Sequence, residues 1–80
     1  MNGFRKPCPL TIASHDAPLL QQIARSRSFP WYQIQRARIV LGVAEGMPIQ
    51  QLAIQTQCDP STIWRTCRRY EHAGLPGLLA

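Results

Sequence analysis

Carboxylates are scarce in this chain: Asp16, Glu45, Asp59 and Glu71 are the four acidic side chains among 80 residues. So few, spread this widely, supply no acidic cluster for metal-assisted or general-acid chemistry. The two histidines, His15 and His72, have no partner residues at triad or metal spacing, so no enzyme is expected. Long apolar runs are also missing. The best stretch, IVLGVAEG, is cut short by Glu45 and Gly46, far below the roughly 20 residues that cross a bilayer. The N-terminus carries Arg5 and Lys6 but Pro7, Cys8 and Pro9 in place of an apolar signal core. A cytoplasmic, nucleoid-associated protein is expected, without membrane or small-molecule partners. Cys8, Cys58 and Cys67 are an odd set without a secretion signal, which favours reduced thiols. Cys58, Cys67 and His72 match no common zinc-ligand spacing, and no metal or cofactor is expected.

What the chain does have is arginine. Eight of its nine basic residues are Arg, the formal charge is +5, and a planar guanidinium fork suits phosphate and guanine edges. A polyanionic partner is implied. Residues 1–40 hold six cations against Asp16 alone, whereas the second half balances Arg65, Arg68 and Arg69 against Glu45, Asp59 and Glu71. A chain of this length forms one domain with a small core, burying about 60% of the surface its unfolded state exposes.

Helical periods dominate the pattern. Residues 1–13, with Gly3, Pro7 and Pro9, read as a flexible basic arm, and residues 14–80 as the folded domain. A first helix opens at Asp16 as N-cap, tolerates Pro18 in its first turn, buries Leu19, Leu20, Ile23 and Ala24, and ends near Arg25. Ser26 to Pro30 is a loop. The longest helix is expected over Trp31 to Glu45, closed by Gly46 as a left-handed cap, with Ile34, Ala37, Val40, Leu41 and Ala44 inward and Ile39 and Val43 widening the stripe. Arg36 and Arg38 stand about 200° apart around it, so one is expected to pair with Glu45, Glu71 or Asp59.

The segment Met47 to Tyr70 carries the functional signal. A short helix from Pro48 or Ile49 to about Thr56 buries Ile49, Leu52 and Ala53, with Ala53 allowing a close helix crossing. A break at Gln57-Cys58 comes next, and a fourth helix opens on Asp59 as N-cap with Pro60 at its first position. Ile63, Cys67 and Tyr70 recur at i, i+4 and i+7 and face inward, which turns Ser61, Trp64, Arg65 and Arg68 outward. This is the layout of a helix-turn-helix, whose second helix enters the DNA major groove.

Within it, Arg65 and Arg68 are candidates for bidentate guanine contacts, with a solvated face near Glu71 or His72 as the alternative. Arg69 is a candidate for phosphate. Ser61 and Thr62 either hold a phosphate at the helix start or merely cap its first turn. Trp64 either packs on a sugar or thymine methyl or belongs to the core. Gly74 is expected to end the helix, leaving Leu75, Leu78 and Leu79 as a short apolar tail.

The pieces RARIVLGVAEG, DPSTIWRTCRRY and AGLPGLL, in that order and flanking the third helix, resemble the N-terminal DNA-binding region of bacterial insertion-sequence transposases of the mariner-like superfamily. The likeness spans roughly Leu10 to Leu79. It implies an all-α, homeodomain-like bundle of about four helices that recognises the terminal inverted repeats of a mobile element. The metal-dependent acidic catalytic domain of full-length relatives is not among these residues, so binding to double-stranded DNA without cutting is expected, as a transposase end-recognition domain or a transposase-derived fragment. Relatives commonly place glycine where Gln57 stands, a late tryptophan where Thr66 stands, and a basic residue where Trp64 stands. A stand-alone helix-turn-helix transcriptional regulator, which would need a homodimer on a two-fold operator, and a protein-interaction module using the same surface are the competing readings.

Overall fold

A computed structural model describes residues 10–80, and every regular element among them is helical. The order is α1 (Ala17–Arg25), α2 (Trp31–Ala44), α3 (Ile49–Thr56) and α4 (Pro60–Leu79). None of these helices is long and apolar enough to cross a membrane. Of the expected arm, residues 1–9 lie outside the described residues. Its last residues touch the body: Leu10 and Ile12 pack against the core.

The core has two lobes that share α2 and α4. Ile39, Val43, Leu52, Ala53, Ile63 and Cys67 join α2 to the α3–α4 pair. Leu20, Ile23, Ala37, Val40, Tyr70 and Leu78 join α1, α2 and the far part of α4. Leu10 lies against both. Fully buried Leu20, Ile63 and Leu78 each contribute roughly 1.5–3 kcal/mol by leaving water. The widening of the α2 stripe by Ile39 and Val43 is thus explained, since this helix is covered on two sides. Ala44, at the opposite margin, is exposed instead of inward, and Leu41 is half-buried. Leu19 is also exposed, because one step of about 100° from Leu20 carries it past the edge of the α1 stripe. Ile49 is half-buried against the first lobe.

Two helix ends use the left-handed cap. Gly46, at φ +88°, lets its own N–H reach Val43 O and the Met47 N–H reach Gly42 O, both at 3.0 Å. Gln57 repeats the motif without glycine: at φ 58° and ψ 42° its N–H reaches Ile54 O at 3.3 Å and the Cys58 N–H reaches Ala53 O at 3.0 Å. The other ends are closed across space by α2. Gln35 Nε2 donates to Thr56 O at 2.9 Å, Gln33 Nε2 to Leu79 O at 2.8 Å, and Arg36 Nη1 to Leu78 O and Ala80 O at 2.8 and 2.9 Å. Arg38 Nε donates to Ala24 O at 3.3 Å. Against the expectation that one of them pairs with Glu45, Glu71 or Asp59, neither Arg36 nor Arg38 meets a carboxylate among the described residues; the orphan carbonyls and negative ends of α4 and α1 take the guanidinium groups instead.

Asp16 and Asp59 do stand at the N-cap positions of α1 and α4, but neither carboxylate makes a cap bond. Asp16 caps nothing with its side chain: it is helical (φ −87°, ψ −27°), buried, and accepts a 2.7 Å hydrogen bond from the Tyr70 hydroxyl. Asp59 has the extended backbone of an N-cap, but its carboxylate makes no cap bond, and only its carbonyl serves, accepting from Thr62 and Ile63 N–H. At Gly74, φ +68° and ψ −163° break α4 as expected. The segment beyond it is no loose tail. Leu75 to Leu79 make another helical turn that folds back, and Leu78 is 0% exposed in the second lobe.

Candidate nucleic-acid interface

The turn between α3 and α4 is three residues, Gln57 to Asp59, the length that joins the two helices of a helix-turn-helix. Its tightness depends on Gln57 adopting a left-handed backbone, and α3 itself packs closely on α2. Leu52 seats directly on Gly42, where a Cβ would stand 2.8 Å from Leu52 Cδ1. At the α2–α3 crossing the small residue that permits the close approach is Gly42.

Four inward side chains fix the rotation of α4: Ile63, Thr66, Cys67 and Tyr70 are all buried. Thr66 fits in this row because its hydroxyl donates to Thr62 O at 2.8 Å, leaving its methyl for the core. Tyr70 anchors the far end. Its hydroxyl donates to Asp16 Oδ2 and accepts from the Ala13 N–H at 3.2 Å, tying the entry of α1 to α4. Burial, and then the hydrogen bond to Asp16, push the Tyr70 phenol above its ordinary value.

With that face fixed, Ser61, Trp64, Arg65, Arg68 and Arg69 are exposed, and Thr62 is half-buried. At about 100° per residue, Ser61, Arg65 and Arg68 lie along one line opposite the buried arc, with Trp64 and Arg69 on its two flanks. Trp64, 38% exposed, is not a core residue. Among the described residues the one ion pair joins His15 Nε2 to Asp16 Oδ1 at 3.4 Å, so Glu71 does not hold Arg68. The line continues to exposed His72, at i+4 from Arg68 and i+7 from Arg65. Wheel arithmetic alone places it there; searching the histidines only for metal or catalytic partners misses it.

The model of a homeodomain-like domain family matches residues 32–79, more than half of the chain. The chain belongs to the homeodomain-like family. No curated protein and no solved structure gives a match. The matched span takes in α2 from Tyr32 on, the α3–turn–α4 unit and the Gly74–Leu79 return, so the homeodomain-like region includes every residue of the α4 ridge.

Proposed function

We propose that this homeodomain-like chain binds double-stranded DNA sequence-specifically through the outward face of α4, as the end-recognition domain of a transposase or a transposase-derived protein. One observation carries the reading: Arg65 and Arg68 project from a helix held in rotation by four buried side chains, and neither meets a carboxylate among the described residues. Each fork is free to pair with the O6 and N7 edge of guanine in the major groove. Arg69, on the flank, meets phosphate; Ser61 and Thr62 meet phosphate at the helix start; Trp64 packs on a sugar or a thymine methyl.

The transposase assignment rests on the ordered resemblance, and the fold gives its closing Gly-Leu-x-Gly-Leu-like segment a physical role. Gly74 supplies the positive φ, Leu78 returns to the core, and Gly77 lies so close to Ala73 that a Cβ there would stand 2.1 Å from the Ala73 Cβ. A monomer on one asymmetric site suffices for end recognition, without cofactor or small-molecule substrate.

Selection of bound duplexes from a random library, repeated at two salt concentrations, tests the proposal. One enriched, asymmetric motif is expected, with Arg65→Ala or Arg68→Ala each weakening it by about 1–3 kcal/mol, roughly 5- to 150-fold. A flat sequence preference would sink the reading, and a two-fold symmetric footprint would transfer it to a dimeric transcriptional regulator.

A further inference from the structure

Four of the five aromatic side chains among the described residues are exposed, and three of them fall within four residues where the α1–α2 loop enters α2. Trp31 is 63% exposed, Tyr32 43% and Phe29 39%. Exposed rings concentrated in so short a stretch offer a surface to a partner. The loop that presents them is built, not slack. Ser26 Oγ accepts hydrogen bonds from the Ser28 and Phe29 N–H groups, at 2.9 and 3.2 Å, and Pro30 fixes the step into α2.

The charges around the rings select the partner. Between Asp16 and Glu45 there is no carboxylate, while Arg25, Arg27, Arg36 and Arg38 all fall in that span. Arg25, Arg27 and Phe29 line one shallow groove, and the Arg36 guanidinium stacks over the Tyr32 ring, 5.0 Å from its centroid. A second copy of this chain would bring the same positive surface and be repelled. Unpaired nucleobases on a phosphate backbone satisfy both features, since rings stack bases and arginines track phosphates.

We propose that Phe29, Trp31 and Tyr32, flanked by Arg25 and Arg27, form a second nucleic-acid site that stacks the unpaired bases of a single strand. This site stands apart from the α4 ridge. The Tyr32 hydroxyl donates to Leu79 O, at the last residue of α4, whereas Ser61 lies in its first turn. The inference therefore does not depend on the duplex-reading role of Arg65 and Arg68.

The test uses the whole chain carrying Trp64→Phe, so that Trp31 is its one tryptophan, titrated with a short oligothymidylate and with a duplex carrying the selected motif. Oligothymidylate should quench Trp31 fluorescence saturably. Adding Trp31→Ala, read by anisotropy of labelled oligothymidylate, should weaken single-strand binding about tenfold, the fold-change of one lost base–indole stack, with motif-duplex affinity unchanged. Phe29→Ala repeats the test on a second exposed ring, should Trp31→Ala lower the thermal midpoint. Equal oligothymidylate affinity with and without the rings would overturn the proposal. So would a concentration-dependent dimer, in sedimentation velocity, that Trp31→Ala abolishes. Arg65→Ala losing duplex binding while keeping oligothymidylate binding, or the converse in Trp31→Ala, separates the failure of one site from that of the other.

Discussion

Tyr70→Phe is the sharpest probe of how α4 is held, because it keeps the buried ring and deletes one oxygen. Two hydrogen bonds go with it: the neutral one from the Ala13 N–H, worth about 1 kcal/mol, and the one to the Asp16 carboxylate, worth about 1.5–3 kcal/mol. Asp16, 9% exposed, would keep only the 3.4 Å contact to the exposed His15 imidazole. The expected loss is about 2.5–4 kcal/mol, and in a domain of 60–100 residues each kcal/mol moves the thermal midpoint by about 4–8 °C, so a fall of roughly 10–30 °C should appear in circular dichroism melts. Urea titration gives the same energy independently through the transition midpoint at constant slope. A double-mutant cycle with Asp16→Ala should show non-additivity of about 1 kcal/mol or more, since the two groups share one bond. The alkaline limb adds a second readout. The folded phenol titrates above its ordinary 10.0, so the folded state holds the proton more tightly than the unfolded one. The stabilisation is fully present below pH 10 and is lost as pH rises through the folded value; Tyr70→Phe should lack that component. A Tyr70→Phe loss below about 0.5 kcal/mol, or strict additivity with Asp16→Ala, would refute the assignment of this tie as the anchor of α4.

Three further outcomes rest on the backbone and on the arginines. Gln57→Gly should stabilise the domain by about 1 kcal/mol, because φ 58° is strained for a side chain bearing a Cβ; an unchanged melting midpoint would mean the turn relaxes in solution. Gly77→Ala should cost about 1–3 kcal/mol by overpacking against Ala73, and a neutral result would show that the Leu75–Leu79 turn does not hold its place. Arg36→Ala and Arg65→Ala should separate cleanly. The first lowers stability with little change in the salt dependence of duplex binding; the second leaves the melt alone and, if it removes a phosphate contact besides its base pairing, flattens the salt slope by about 0.9.

Local chemistry was legible in the residues, and long-range chemistry was not. The i, i+4, i+7 spacing of Ile63, Cys67 and Tyr70 sets the rotation of α4, and Gly46 marks its own cap, because both depend on a few adjacent residues. The Asp16–Tyr70 bond spans 54 residues, and an aspartate before a helix carries the same signature whether it caps that helix or crosses to another. Helix-terminal carbonyls have no side-chain signature at all, so the attachment of Arg36 and Arg38 to them could not be read from charge spacing, which offers only carboxylates as partners. Leu78 is similar. A leucine after Pro76 looks like the end of a helix, and only the return of the chain at Gly74 carries it into the core.

Helix α2 gives two of the arginines behind the +5 formal charge a structural role. Its polar positions Gln33, Gln35, Arg36 and Arg38 all bond carbonyls in or beside the ends of the other three helices, so the helix that contributes most to the core also closes its neighbours. Two of the arginines counted in +5 are thereby tied to backbone oxygens and positioned by the fold. The cations left with neither a helix carbonyl nor a carboxylate among the described residues fall into two groups, Arg65, Arg68 and Arg69 on α4, and Arg25 and Arg27 beside the exposed rings. Arg36 closes the returning turn of α4 and Arg38 the end of α1, while the α4 ridge itself is held by the buried side chains of Ile63, Thr66, Cys67 and Tyr70. In the proposed function, the arginines left untied serve recognition, and the pair on α2 serves stability.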